Sequence, residues 1–297
     1  MGRKRGGHAC NGQLSLFDLP LSSWEQETPE ERLENLRHKD VYRYRVKTIR
    51  AGNMLECEIF PIWTAQEAQR AKRAKPSRKA QENLNHKNTK KKIMRLTNMN
   101  FTDADLWGTF GYDDANLPAT LEAARKDVVN FLRRVKNARK KLGLPPIRYI
   151  YVTEWRHDGE DVRCHHHIVM SGDMDRDAIE KLWHGGAYPQ TRRLRVKEDC
   201  GLNGLGAYLA KGSKGEKMWG RSTNLKDPVV TWADRKITPR QAGKIALDEN
   251  AAPELFEKLY QGYAFRSVEA KRSDYVAGVY IYTQMYRRSQ GGGKRRC

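Results

Sequence analysis

Residues 147–170 read IRYIYVTEWRHDGEDVRCHHHIVM. A run rich in Tyr, Ile and Val, 147–155, and a second run, 162–170, that ends in Ile-Val-Met flank Asp158-Gly159, a pair suited to the left-handed backbone of a tight turn. The pattern predicts two antiparallel strands. Alternate side chains of a strand share a face, so His165 and His167 point together, about 7 Å apart along the chain, and His166 points the other way. Pairing around the turn sets Glu154 opposite Cys164 to His166. Two imidazoles and one carboxylate, with positions left for water and phosphate oxygens, suit Mg2+ or Mn2+, the nitrogen ligands favouring Mn2+ or other transition ions. Plainer readings fit the same residues: structural, hydrogen-bonded histidines, and a surface ion pair of Glu154 with Arg156 or Arg163.

Working outward from this hairpin, residues 106–112 have strand character. Residues 118–142 carry apolar side chains at helical spacing (Leu121, Ala124, Val128, Phe131, Leu132, Val135), closed by Gly143 and two prolines. After the hairpin come a short helix at about 175–183, a weaker strand at about 186–196 and a helix at about 202–211. The order β-α-β-β-α-β-α predicts an α+β fold, a ferredoxin-like split βαβ antiparallel sheet with one helix added and basic helical segments flanking it.

The flanks divide the chain further. Residues 1–38 read as a disordered tail, polar and without periodicity apart from one apolar island at 14–21. Residues 39–98 hold a hairpin turning at Ala51-Gly52-Asn53 and a basic, helix-compatible lead-in interrupted by Pro76. The catalytic-type pattern occupies 99–238, with a Gly, Lys and Pro-rich stretch at its end. Residues 239–297 hold a helix near 240–260, an aromatic strand-like run at 275–286 and a basic tail. In the lead-in, Arg73, Lys75, Lys90, Lys91 and Lys92 are candidates for contact with DNA phosphates, or a solvated helical face.

Within residues 204–211, GLGAYLAK, the spacing of three between Tyr208 and Lys211 places both on one helical face. A phenol ionises near pH 10, so it attacks phosphorus well only beside a cation or base. Lys211 supplies a cation. Alone, the tetrapeptide also fits a half-buried tyrosine beside a solvated lysine.

Composition restricts the partners. Lys and Arg number 56 against 36 Asp and Glu, a net charge of +20, which favours a polyanion. No apolar run approaches the roughly 20 residues of a bilayer span, and the start, MGRKRGGHAC, lacks a secretory apolar stretch. The expectation is a cytoplasmic protein without membrane contact. Cys10, Cys57, Cys164, Cys200 and Cys297 form no C-x-x-C pair, so they read as reduced thiols rather than a zinc ribbon or disulfide framework. No Gly-x-x-x-x-Gly-Lys-Ser/Thr loop is present, so any duplex unwinding comes from another protein.

Taken together, these motifs resemble the HUH endonuclease superfamily, and within it the single-tyrosine rolling-circle replication initiators (Rep) of bacterial plasmids and phages. Leu106 to Tyr112, LWGTFGY, is similar to the first motif of that group. His165-His166-His167 is similar to the His-hydrophobic-His motif, with His166 where a bulky hydrophobe is usual, and Tyr208-Leu209-Ala210-Lys211 to Tyr-x-x-Lys. Trp219, Ser222, Asn224, Leu225 and Pro228 extend the likeness. It implies that Tyr208 attacks a scissile phosphate in single-stranded or extruded origin DNA, leaving a 5′-phosphotyrosine and a free 3′-OH primer. It further implies that His165, His167 and Glu154 hold a divalent metal, Mg2+ or Mn2+, and that Lys211 stabilises the developing charge. Position 212 is Gly, so no second tyrosine follows one turn on, and strand closure needs another protomer, a fresh 3′-OH or a different nucleophile. Two alternatives remain: a transposase or relaxase with the same chemistry, and a non-catalytic basic nucleic-acid-binding protein.

Gln13-Leu14-Ser15-Leu16-Phe17 is similar to the peptide by which bacterial proteins dock on the replicative sliding clamp, Leu16 and Phe17 filling an apolar pocket while Gln13 supplies hydrogen bonds. The alternative is a small helix packed on the domain. Clamp docking would bring the host polymerase, and indirectly a helicase, to the exposed 3′-OH. A pull-down on the clamp is expected to lose the Leu16→Ala, Phe17→Ala variant; capture equal to the parent's contradicts the docking peptide.

Overall fold

The computed structural model describes residues 28, 31, 38–73, 78–155, 163–197, 200–209, 219–272 and 276–288. Gln13 to Phe17, Lys75, the Asp158-Gly159 turn and Lys211 lie outside them. In chain order the elements are β1 Val41–Ala51, β2 Met54–Trp63, α1 Ala65–Arg73, α2 Arg78–Asn100, β3 Leu106–Gly111, α3 Leu121–Lys141, β4 Tyr149–Glu154, β5 His165–Met170 and α4 Arg176–Glu180. Then follow β6 Gln190–Arg193, α5 Asn203–Leu209, β7 Trp219–Arg221, β8 Val229–Asp234, α6 Pro239–Leu247, α7 Ala252–Leu259, β9 Tyr263–Arg272 and β10 Val279–Arg287. They fall into two compact units, a central one that includes residues 85–229 and a flanking one built from the segments on either side in sequence.

The central unit has a sheet in the order β6-β3-β5-β4-β7. β5 pairs antiparallel with both β3 and β4, so it separates the two strands that α3 connects, which is the split βαβ arrangement. The α+β class and the element order through α5 agree with the expectation. β4 and β5 alternate as the sequence pattern requires. Leu106, Phe110, Ile168 and Met170 pack on one side with Ala124, Val128, Phe131, Leu132 and Val135 of α3. Trp107, Ile150, Val152 and Val169 pack on the other with Ile93 and Leu96 of α2 and with Leu202 and Leu209. That second face carries the site.

α3 begins where the Thr120 side chain accepts from the Ala123 N–H at 3.2 Å. It ends at Gly143, whose φ of 67° is the left-handed conformation that stops a helix cheaply only at glycine. Near that end Arg139 is almost fully buried, and its guanidinium donates to Asp173 Oδ1 and Oδ2 at 2.5 and 2.8 Å and to the Pro145 carbonyl. This fork fastens the helix to the β5–α4 connection.

The flanking unit has its own sheet, β8-β1-β2-β10-β9. The predicted hairpin is present as β1 and β2, and the strand expected at 275–286 is β10. The structure joins the two in one sheet, with Tyr44, Val46, Leu55, Cys57, Ile59, Val279 and Ile281 in a common core. Two strands of this sheet had no counterpart in the sequence reading, and both are edge strands, as is β7 of the central sheet, which was likewise not expected. β8 (VVTWAD) is exposed along most of its length, and β9 (YAFRSVEAKR) mixes charges into its pattern, so neither shows the alternation of a half-buried strand. The single helix expected near 240–260 is two helices. Asp248 ends α6 in extended backbone, and Pro253, in the first turn of α7, has no N–H to continue a helix through it. Cys57, Cys164 and Cys200 are buried free thiols. Among the described residues no helix is long and apolar enough to cross a membrane.

The hydrogen bonds from Arg139 hold the Asp173 carboxyl below its ordinary value of 3.8. A carboxyl depressed on folding stabilises the protein above the unfolded value and ceases to do so as pH falls through the folded one. In urea unfolding, Asp173→Asn is therefore expected to lower stability at pH 7 and to flatten the loss of stability below about pH 4. Parallel pH profiles for parent and variant would contradict this pairing.

Candidate active site

The cross-strand register builds the metal-type cluster. Glu154 lies opposite His165, and His167 lies between Val152 on β4 and Thr109 on β3. The His165 and His167 Nε2 atoms are 3.0 Å apart. Glu154 reaches both histidines, Oε2 to His165 Nε2 and Oε1 to His167 Nε2, each at 3.4 Å. These three are brought together as candidate ligands, with one ligand atom from each within 4.8 Å of the others. Two ligands at about 2.1 Å from one ion and at right angles stand about 3.0 Å apart, so the donor set fits a first-row divalent cation or Mg2+. Of the two arginines offered as ion-pair partners of Glu154, Arg156 lies outside the described residues and Arg163 pairs elsewhere. Arg163 pairs with Asp114 at 2.8 Å and donates to the Tyr112 carbonyl.

The other ring nitrogens of the histidines are occupied. His165 Nδ1 lies 2.9 Å from the Arg163 carbonyl oxygen, which only accepts, so Nδ1 carries the proton and Nε2 presents its lone pair to the cluster. His167 Nδ1 lies 3.2 Å from Thr109 Oγ1, which can set the same tautomer. The Trp107 ring stacks on His167, centroids 4.8 Å apart and planes 19° from parallel. His167 is thereby held from the side and from the face.

His166 lies in the opposite core. Its Nε2 is 2.7 Å from the Tyr112 hydroxyl and its Nδ1 2.9 Å from Thr153 Oγ1, and the side chain is fully buried. Burial, with lesser contributions from His165 and His167, pushes its pKa down to about 3. It is a neutral structural histidine. Tyr112 packs beside it, and burial raises its phenol well above the ordinary range.

Tyr208 reaches the cluster from α5. Its ring meets that of His167 edge-on at 4.9 Å and that of Trp107 at 5.8 Å, while 46% of the residue stays exposed. Partial burial and the charge of Glu154 raise its pKa, and Arg192 opposes them. Two contacts to α2 seat this helix. Gly206 lies so close to Met94 that a Cβ there would stand 2.7 Å from the Met94 Cα. The Asn98 amide donates to Asn203 Oδ1 at 2.8 Å, and its carbonyl oxygen accepts from Leu202 N–H at 2.9 Å.

The described basic candidates lie on two helices. Arg73 ends α1, whereas Lys90, Lys91 and Lys92 lie on α2, the first and last exposed, with Lys92 Nζ 5.8 Å from the Trp219 ring centroid. The sequence reading gave no role to Thr109, Trp107, Asn98 or Gly206. Thr109 and Trp107 were visible as same-face residues of a motif strand, but Asn98 and Gly206 act through tertiary contacts that carry no sequence signal.

Residues 105–214 match the family model of the replication-associated protein ORF2/G2P. The matched stretch covers the cluster and Tyr208. No curated protein and no solved structure matches the chain.

Mn2+ titration followed by electron paramagnetic resonance is expected to find one bound ion in the parent and none in His165→Ala or His167→Ala. Thr109→Val is expected to weaken binding about 10- to 100-fold by releasing the His167 ring. His166→Ala is expected to keep the ion while losing about 1–3 kcal/mol of stability, because Tyr112 and Thr153 lose a buried partner. Undiminished binding by both His→Ala variants contradicts the site.

Proposed function

We propose that the central unit nicks and rejoins single-stranded origin DNA as a metal-dependent replication initiator of the HUH type, with Tyr208 as nucleophile. The observation that carries the reading is the placement of the Tyr208 ring against His167, a member of a cluster suited to a divalent ion. The family match to replication-associated proteins supports the same reading, as does the net charge of +20.

Tyr208 Oη attacks the phosphorus, the Oη–P bond forms and the P–O3′ bond breaks. The phenol gives its proton to solvent, and the departing 3′ oxygen takes one from water. One phosphodiester replaces another, so attack by a 3′-OH on the phosphotyrosine reverses the step and seals a strand. Since Tyr208 resists ionisation, its proton must leave beside positive charge. Lys211 is proposed to supply part of that charge. Glu154, His165 and His167 would hold Mg2+ or Mn2+, which as a Lewis acid polarises a non-bridging phosphate oxygen. Thr109 and Trp107 keep His167 oriented, and α2 keeps Tyr208 within reach.

End-labelled single strands tiled across the DNA flanking the gene are expected to give a protein-linked, detergent-resistant adduct with Mn2+ in the parent. Chelation and Tyr208→Phe should each abolish it, and Gly206→Val should reduce it by displacing α5 from Met94. A non-catalytic binder would retain salt-sensitive binding in all of these and form no adduct. That outcome rejects the enzyme.

A further inference from the structure

One cation on the face of the sheet that carries the site is left unassigned by this scheme. β6 pairs with β3 so that Arg192 stands opposite Trp107. Cross-strand partners share a face, so Arg192 emerges on the side of the sheet that carries Trp107, Thr109, His165, His167 and Glu154. The Trp107 ring in turn touches both His167 and Tyr208. Arg192 is therefore on the edge strand that borders the nucleophile and the cluster.

Its neighbours are committed to the fold. Arg193 donates to the carbonyl oxygens of Ala104 and Gly172, and the Thr191 hydroxyl and N–H both donate to Glu180. Arg192 is exposed, and among the described residues no carboxylate or carbonyl accepts from it. An exposed arginine is often no more than a solvated charge. This one stands across from Trp107, whose ring meets both His167 and Tyr208.

We infer that Arg192 grips the phosphate presented to Tyr208, its planar guanidinium donating to the non-bridging oxygens. The inference rests on the nicking reading for its chemistry, and on the face and edge position of β6 for its geometry. A guanidinium matches two phosphate oxygens at once and stays protonated throughout, so it transfers no proton. It would strengthen its hold as negative charge gathers on those oxygens while the Oη–P bond forms and the P–O3′ bond breaks. Lysine could supply the charge but not the paired donors.

The test uses the full chain in two arms. In the first, Tyr208→Phe protein in chelator is treated with phenylglyoxal with and without a short single strand, and modification is read by mass spectrometry. The strand is expected to protect Arg192 and to leave Arg133, exposed on α3 across the opposite face, as reactive as before. Equal reactivity of Arg192 with and without strand overturns the inference, whether or not the protein nicks DNA. In the second arm, Arg192→Ala is expected to slow adduct formation at saturating strand about 100-fold, with Mn2+ binding and thermal stability unchanged. Arg192→Lys should recover part of the rate. A single phosphorothioate diastereomer at the scissile phosphate should slow the parent but not Arg192→Ala. Adduct formation by Arg192→Ala at the parent's rate, or an unchanged thio effect in a slower variant, also overturns it. If the parent forms no adduct, the nicking reading fails and the protection arm alone decides whether Arg192 holds phosphate.

Discussion

The site depends on the rotation of β5 about its own axis. This strand lies between β3 and β4, and its two-residue period assigns His165 and His167 to one face and His166 to the other. The buried hydrogen bonds of His166 to Tyr112 and Thr153 oppose any slip. Moving the register by one residue would send two imidazoles into the α3 core, remove the His166 bonds of Tyr112 and Thr153 and withdraw the pair from Glu154. A buried neutral histidine with both nitrogens satisfied thus fixes the direction of its two neighbours. A hydrophobe at that position would fill the space, but it would not specify the register through directional bonds.

The tyrosine depends on a different kind of support. Seven residues of α5 are described, two of them the poor helix formers Gly204 and Gly206, so its position comes from packing. Gly206 permits the backbones of α5 and α2 to approach, and Asn98 bonds to the first turn from the side. The basic lead-in therefore contributes its last turns to the support of α5, in addition to whatever its lysines contact. The environment of Tyr208 disfavours the phenolate, since burial and Glu154 both act against it. If Tyr208 is the nucleophile, as proposed, its reactivity would need positive charge from a bound metal and from side chains such as Lys211 and Arg192, and it would be activated only in an assembled complex.

Much of this was legible in the sequence because it follows from short periods. The parity of 165–167, the placement of Glu154 opposite the histidines and the order of elements from β3 to α5 all come from alternation, helical spacing and turn residues. The role of Thr109 was half legible: its strand and motif were identified, but its bond to His167 required the β3–β5 register. Gly206 and Asn98 were not legible, since a glycine in GLGAYL and an asparagine in TNMN carry no mark of what they will touch. The flanking sheet was hidden for another reason. Its pairing joins β1 and β2 to strands more than 160 residues away in sequence, and its two edge strands lack the burial pattern by which strands are recognised.

The most direct measurement of the central claim is the identity of the DNA-linked amino acid. Tryptic residues 198–211, EDCGLNGLGAYLAK, contain Tyr208 as their one hydroxyl-bearing side chain. After reaction with a cleavable single strand in Mn2+ and nuclease digestion, fragmentation mass spectrometry should find the residual nucleotide on Tyr208 of that peptide. A nucleotide on any other residue, with this peptide unmodified, would contradict the account.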